Sequence, residues 1–218
     1  MSDATADDAY CETAARRDDP DRWLASLFAP DAVRPHLAAL LAFNGELSRT
    51  REQVSQAMLG EIRLQWWREA IEGIYVGNPR SHPVVRGLAA AIVARGLPRE
   101  PFDRLIDARA DDLYDRPPAD LAALEAYASA TSAGLNRLLL GVLGVDDARA
   151  LAAGDAVGMA WALTGLIRGA PAHAALRRVH LPADWLAEAG TDRDRFFLAP
   201  TGPEARAVLR RLAARAQE

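Results

Sequence analysis

Acidic side chains at helical spacing are the first candidates for chemistry. Asp107, Asp111 and Asp115 follow one another at intervals of four residues. Carboxylates four apart on a helix share a face, and their oxygens are the ligands that Mg²⁺ prefers. Phe102 and Leu105 define the apolar face of the same predicted helix, and Asp107 and Asp111 lie almost opposite to it. The pattern therefore favours solvated carboxylates over a metal site.

Arg109 and Asp112 are placed differently on that helix. Arg109 falls within the apolar face, and Asp112 falls at its edge. The two side chains are three residues apart and can pair with each other. A buried charge without a partner is costly. The pair is therefore predicted to be either a structural clamp or part of a polar cavity.

Other catalytic signatures are missing from the sequence. It contains no P-loop, dinucleotide-binding fingerprint, zinc-ligand spacing or nucleophile elbow. The four histidines are scattered along the chain, and structural or surface roles are predicted for all of them: His36, His82, His173 and His180. We therefore predict no metal ligands.

Composition narrows the class of protein. Half of the 218 residues are hydrophobic, and the net charge of −4 gives no basis for a nucleic-acid partner. The single cysteine, Cys11, excludes an intramolecular disulfide and favours a reducing compartment. No run of about 18 apolar residues and no secretory signal is present. We expect a cytoplasmic location, with peripheral contact to an inner membrane left open.

The elements that must position these residues are helices. Apolar residues recur at three- and four-residue steps, and about eight helices joined by short turns predict an all-α bundle. Residues 1–18 are predicted to be a disordered lead, and residues 19–218 one helical domain. The long helices are predicted at 32–50, 56–76, 121–143 and 146–168, the last ended by Gly169 and Pro171.

Two of these helices carry specific expectations. The face of 32–50 is apolar at its start and polar at Asn44 and Ser48, which predicts either a pocket or an ordinary polar helix end. On 56–76, Trp66 is expected to lie in the core, and Trp67 to face a partner.

Five segments, in order, resemble the squalene/phytoene synthase family. They are Ala42–Asn44, Leu64–Arg68, Asp107–Tyr114, Leu166–Arg168 and Arg177–Pro182. The resemblance covers residues 19–218 and implies the helical bundle of isoprenoid synthases, without the last helices of the family. Leu40–Leu47 and Gly60–Trp67 are most similar to the branch that contains a mitochondrial complex I assembly factor and lacks the family's acidic motifs.

In active family members, two aspartate-rich helices hold Mg²⁺ ions that clamp a prenyl diphosphate. The paired aspartates of the first motif fall on Ser48 and Arg49 here, and its last acidic position is Glu52. The two aspartates of the second motif fall on Gly169 and His173. One carboxylate does not rebuild two metal-binding walls. We therefore expect no catalytic residue and no cofactor, with Mg²⁺ relevant only if residual prenyl diphosphate activity exists.

The resemblance implies a non-catalytic role in respiratory complex I assembly, with complex I subunits or assembly intermediates as partners. Two alternatives stay open: a diverged prenyltransferase whose arginines hold the diphosphate directly, and a protein that binds an isoprenoid or lipid. The residual pocket candidates are Asn44, Ser48, Glu52, Arg109, Asp112, Arg168, Arg177 and Arg178.

Overall fold

The computed structural model describes residues 3–217, and all regular secondary structure in that range is helical, as predicted. The helices are α1 (Asp3–Asp18), α2 (Pro20–Ser26), α3 (Arg34–Ser48), α4 (Ala57–Tyr75), α5 (Pro83–Arg95), α6 (Glu100–Ala108), α7 (Leu121–Ala128), α8 (Gly134–Val142), α9 (Ala148–Ala175), α10 (Ala183–Glu188), α11 (Arg193–Leu198) and α12 (Pro203–Arg215). Short 3₁₀ turns lie at Thr50–Glu52 and Asp111–Tyr114. A π-helical turn, Ser129–Ala133, joins α7 to α8.

Helix α3 runs through the larger of two hydrophobic cores. Leu40, Leu41 and Phe43 are fully buried, and the alanines beside them let α1, α5 and α8 pack closely against this helix. A second core, which contains Trp185 and Phe196, lies between α9 and the last three helices. The polar end of α3 and the end of α9 therefore belong to different cores.

The N-terminal segment differs from its expected disorder. From residue 3 to residue 18 it forms α1, which packs on α3 and α5. Cys11, Ala14 and Ala15 are buried at helical spacing. This stripe is narrow and its residues are small. The acidic composition of the segment therefore predicts disorder in spite of it. Residues 1 and 2 of the expected lead lie outside the described part of the chain.

The orientation expected for α4 was wrong. Trp67 is buried, with its ring edge against Phe43 at a centroid distance of 5.2 Å, whereas Trp66 is only partly buried. Leu59 and Ile62, which lie on the same side of the helix as Trp66 by helical spacing, are exposed. Apolar residues occur on every side of this helix. Their periodicity alone therefore predicts the wrong face to be buried. Aromatic packing on α3 and α6 decides which tryptophan is buried.

Helix α9 is longer than predicted. It continues through Pro171 to Ala175 and ends at Leu176, whose amide donates to the carbonyls of Ala172 and His173. Proline lacks an amide hydrogen, so this turn loses one helical hydrogen bond, yet the helix tolerates the loss. Arg168 and His173 consequently lie on one continuous helix.

The π-helical turn packs tightly against α9. A Cβ atom at Gly158 would lie 2.5 Å from the Cα atom of Ala133, a distance at which only glycine fits. This approach of two backbones fixes α9 against the turn that follows α7. It thereby sets the position of Tyr127, near the end of α7, relative to the end of α9.

Candidate functional site

A closed polar cluster joins α6 to α7. The Arg109 guanidinium donates to Asp112 Oδ2 at 3.2 Å and to the Tyr127 hydroxyl oxygen at 2.6 Å, while that hydroxyl donates to Asp112 Oδ2 at 3.0 Å. A second guanidinium nitrogen of Arg109 lies 3.5 Å from Asn44 Oδ1 on α3. The Arg109 and Asp112 side chains are only 14% and 16% exposed. The predicted pair thus exists, and it forms a clamp beside a cavity.

Burial and charge together set the protonation of this cluster. Burial lowers the pKa of Arg109, but Tyr127 and Asp112 raise it by more, so the net shift is upward. Burial, together with Asp112, raises the pKa of Tyr127 against the opposing effect of Arg109. At neutral pH the cluster therefore contains a guanidinium and a phenol that donates a hydrogen bond.

Two histidines extend the cluster towards α9, although no pattern in the sequence predicts that they lie together. The His180 ring stacks on Tyr127 at a centroid distance of 6.4 Å, and the His173 ring meets His180 edge-on at 4.8 Å. Burial lowers the pKa of His180 to about 4, although Asp112 opposes this shift. Burial also lowers the pKa of His173. Both imidazoles are therefore neutral at pH 7.

The first acidic motif of the family is replaced by a different arrangement of charges. The Ser48 hydroxyl donates to the Gly45 carbonyl at 3.2 Å, within its own helix. Arg49 Nη2 lies 3.1 Å from Asp18 Oδ2 and 3.4 Å from Glu46 Oε1. The positions of the paired aspartates thus hold a hydroxyl satisfied by its own backbone and a guanidinium tied to α1.

The second motif is replaced just as completely. Arg168 is exposed. A Cβ atom at Gly169 would lie 2.7 Å from His173 Cε1, because the imidazole folds back over that glycine. A neutral imidazole is a poor ligand for a hard cation such as Mg²⁺. No carboxylate oxygen is therefore presented at either aspartate position of this wall.

The carboxylates nearest to both walls are paired with arginines. Asp115 lies 2.5 Å from Arg51 and 3.5 Å from Arg178, and Glu52 lies 3.5 Å from Arg178. Within residues 3–217, no group of three histidine, cysteine or acidic side chains could hold a metal ion. The donor set that is present does not fit the family's Mg²⁺ cluster, since Glu52 and Asp115 are the carboxylates beside these walls and each is paired with a guanidinium group.

The sequence candidates fall into three groups. Asn44 joins Arg109 and Asp112 in the clamp, while Glu52 and Arg178 form the neighbouring ion-pair network. The remaining three contact neither group through a hydrogen bond or ion pair in the described chain: Ser48, Arg168 and Arg177. Arg177 is exposed and lies 3.6 Å from Asp194.

Several residues of the site were not predicted. Tyr127 is 18 residues from Arg109 in sequence, and His180 reaches Tyr127 only through the turn that follows α9. No local pattern indicates such contacts. Between the clamp and the ion-pair network lies a cleft of about 260 Å³, lined by Tyr127, Arg178 and His180 among others.

The fold and the altered motifs together define a helical isoprenoid-synthase scaffold in which Ser48, Arg49, Gly169 and His173 replace metal-binding aspartates and Glu52 keeps an acidic side chain. The squalene/phytoene synthase family model matches residues 15–218, and the chain belongs to that family. A solved squalene synthase, HpnC from Alicyclobacillus acidocaldarius, superposes with a TM-score of 0.85 at 24% identity, covering 98% of this chain and 80% of that one. A solved dehydrosqualene synthase superposes with a TM-score of 0.84 at 18% identity, covering 98% and 74%. These two likenesses establish the fold.

Curated relatives include proteins named as complex I assembly factors. "NADH dehydrogenase (ubiquinone) complex I, assembly factor 6" of Rattus norvegicus is 34% identical over 86% of this chain and 56% of its own length. The Homo sapiens protein of that name is 32% identical over 96% and 63%. A phytoene synthase of Rhodobacter capsulatus is 28% identical over 90% and 58%. The chain thus spans less than two thirds of the length of these relatives, and its predicted likeness to the assembly-factor branch is confirmed.

Proposed function

We propose that this chain is a non-catalytic squalene/phytoene synthase-like protein that assists assembly of respiratory complex I. The observation that carries the proposal is Arg49, which stands at a metal-ligand position of the family and is paired with Asp18 and Glu46. Relatives about one third identical to this chain are named as assembly factors of that complex. Its partners would be complex I subunits or assembly intermediates.

Loss of the metal walls removes the driving force for prenyl transfer. Ionisation of a prenyl diphosphate needs cations that neutralise the leaving group, and the protein must hold them with free anionic oxygens. Here Arg49 would repel Mg²⁺, and Arg178 lies 3.5 Å from one carboxylate oxygen of Glu52 and 3.5 Å from one of Asp115. The Arg49–Asp18 pair joins the end of α3 to α1, and Arg178 joins the turn after α9 to the 3₁₀ turn that contains Glu52 and to Asp115.

An assembly role also implies a location. Complex I is a membrane complex, so we propose that the protein works at the cytoplasmic surface of the inner membrane, as a peripheral component. Helix α9 is long and apolar enough to cross a membrane by length and composition. In this fold Gly158, Leu163, Ala170 and Ala174 are the only buried residues among the 28 of that helix, and 11% of its apolar window is buried.

Deletion of the gene in its native host tests the proposal. We expect less assembled complex I on a native gel, and lower NADH:ubiquinone oxidoreductase activity in membranes, with both restored by the wild-type chain. The activity of a respiratory complex that accepts electrons from succinate serves as the control. Unchanged complex I in the deletion strain would contradict the proposal.

One observation favours a second candidate, direct binding of a prenyl diphosphate by arginine. Arg178 lines the 260 Å³ cleft, and its buried Nε atom makes no hydrogen bond in the described chain, although it lies 3.5 Å from Asp115 Oδ1. Arginine can hold phosphate oxygens without a metal. A rise in melting temperature with farnesyl diphosphate in EDTA, lost in Arg178→Gln, would support this candidate. No shift in the wild-type protein would exclude it.

A further inference from the structure

The end of α11 presents a large apolar side chain to solvent. Leu198 is the last residue of this helix and is 87% exposed, whereas Phe196, on the opposite side, is buried in the second core. The turn that follows is tied to α12, because Arg206 Nε donates a hydrogen bond to the Thr201 carbonyl oxygen at 2.7 Å. Leu198 is therefore held in solvent close to the start of α12.

Three arginines lie around Leu198. Arg195 precedes it by three residues and shares its side of α11. Arg206 and Arg210 are four residues apart and share one side of α12. That side is opposite to the buried residues of the helix, which are Ala205, Val208 and Leu212. We call Leu198 and these three arginines the α11–α12 corner.

The arginines of the α11–α12 corner have no acidic partner within residues 3–217. Arg195 and Arg206 donate only to backbone carbonyl oxygens, and Arg210 is exposed without an ion pair in that range. Arg211, the next residue of α12, is instead paired with Glu188 at 2.6 Å. The positive charge of the corner is therefore available to an external anion, whereas that of Arg211 is already balanced.

The local charge is opposite in sign to that of the whole chain. Residues 193–210 contain four arginines and two acidic residues, Asp194 and Glu204, which gives this segment a net charge of +2. The chain as a whole carries −4. An anionic surface is attracted to this segment and repelled by the rest of the protein, so it meets the chain in one orientation.

A bilayer matches both features of the corner. Guanidinium groups bind the phosphates of lipid headgroups, and an apolar side chain beside them enters the boundary of the acyl chains. An acidic protein would also balance the arginines, but it would enclose Leu198 only with a pocket of matching shape. The acyl-chain boundary accepts such a side chain without a pocket.

We infer that the α11–α12 corner docks the protein on an anionic phospholipid surface, with Leu198 inserted and Arg195, Arg206 and Arg210 at the headgroup phosphates. This inference deepens the proposed function and rests on it, since that function places the chain at a membrane. One leucine and three arginines give reversible binding rather than permanent anchoring. The corner can be tested without complex I.

Vesicle binding by the whole chain tests the choice of surface. The probes are vesicles of phosphatidylcholine with about 30% phosphatidylglycerol, and vesicles of phosphatidylcholine alone. We expect the wild-type chain to bind the anionic vesicles at least about tenfold more tightly, with the difference reduced at high salt. Equal binding to both vesicles, or binding to neither, would overturn the inference.

Two adjacent arginines provide a matched test of charge. Arg210→Gln and Arg211→Gln remove the same charge from neighbouring positions, but only Arg210 lacks an acidic partner in the described chain. We expect Arg210→Gln to weaken binding to anionic vesicles about fivefold, and Arg211→Gln to leave it within about twofold. Thermal unfolding establishes that both variants fold. The same loss in both variants would overturn the orientation that we infer.

Two exposed aliphatic residues provide a matched test of insertion. Leu198→Ser removes the apolar side chain of the corner, whereas Val93→Ser removes one from α5, where Val93 is 82% exposed. We expect Leu198→Ser to weaken vesicle binding about tenfold, and Val93→Ser to leave it unchanged. Binding that depends on the arginines but not on Leu198 would indicate a general attraction of charge and would overturn the inference.

The two proposals fail in different ways. Reduced complex I in the deletion strain, together with no preference for anionic vesicles, would preserve the assembly role and overturn the membrane-docking corner. Normal complex I in that strain, together with vesicle binding that is lost in Leu198→Ser and Arg210→Gln, would contradict the assembly role and support the corner.

Discussion

His173 lies directly over Gly169: a Cβ atom at position 169 would be 2.7 Å from the imidazole Cε1 atom. These are the two positions at which active family members carry the aspartates of their second motif. The two departures are therefore coupled, since the absence of a side chain at one provides space for the ring at the other. The imidazole then packs edge-on against His180 and joins the buried polar cluster.

This coupling predicts a non-additive effect on stability. Gly169→Ala should gain about 0.5–1 kcal/mol of helix propensity in a His173→Ala background, where nothing blocks the new methyl group. In the wild-type background the imidazole must move aside, and we expect that gain to be lost. Urea denaturation of the four proteins measures the difference. Additive free energies of unfolding would show that the ring does not occupy this position.

A pair of glycines on α9 tests the packing against the π-helical turn. At Gly158 a Cβ atom would lie 2.5 Å from backbone, and Gly158→Ala should cost about 2–3 kcal/mol of unfolding free energy. At Gly165, on the same helix, a methyl group would meet nothing within 4 Å, so Gly165→Ala should stabilise by about 0.5–1 kcal/mol. Thermal unfolding of both variants gives the comparison. Similar melting temperatures would refute the close approach.

The buried clamp predicts a double-mutant cycle. Asp112→Asn leaves Arg109 with only a neutral partner and should cost about 2–4 kcal/mol. Adding Arg109→Met removes the unpaired charge, and we expect the double variant to be more stable than Asp112→Asn alone. Tyr127→Phe removes two hydrogen bonds but no charge, so its cost should be smaller, about 1–2 kcal/mol. A double variant no more stable than Asp112→Asn would contradict the clamp.

Stability should fall as pH drops below neutrality because of His180. Its pKa is about 4 in the fold, against 6.5 for an unperturbed imidazole. Between pH 4 and pH 6.5 the unfolded chain binds a proton that the folded chain does not. The free energy of unfolding therefore increases with pH in this window, and the contribution of His180 is lost on acidification. We expect about 3 kcal/mol of this dependence to disappear in His180→Phe. Denaturation curves from pH 4 to pH 7.5 measure it, and identical pH dependence in both proteins would be the contrary result.

The fold could be predicted from the sequence in outline, and the errors in that prediction have physical causes. The helical class follows from three- and four-residue periodicity, which is strong in α3 because its core face contains Leu37, Leu40 and Leu41. Helix α1 was missed because its buried stripe is made of small residues. Local breaker signals placed the end of α9 at Gly169, although the packing of Ala170 and Ala174 in the second core carries the helix past Pro171.

The site was predictable only where local spacing determines it. Arg109 and Asp112 are three residues apart on one helical segment, so their pairing follows from periodicity. The contacts of Arg49 with Asp18, and of Tyr127 with His180, join distant segments and depend on tertiary packing. Those contacts explain how the altered motif positions are accommodated.

Diphosphate release from farnesyl and geranylgeranyl diphosphate, with Mg²⁺ present, tests the central claim most directly. The purified chain, shown by circular dichroism to be helical, should release no diphosphate above the rate without protein, because Arg49 and His173 stand where the metal ligands would be. An active squalene synthase in the same assay provides the positive control. Sustained release that increases with protein concentration would contradict the account.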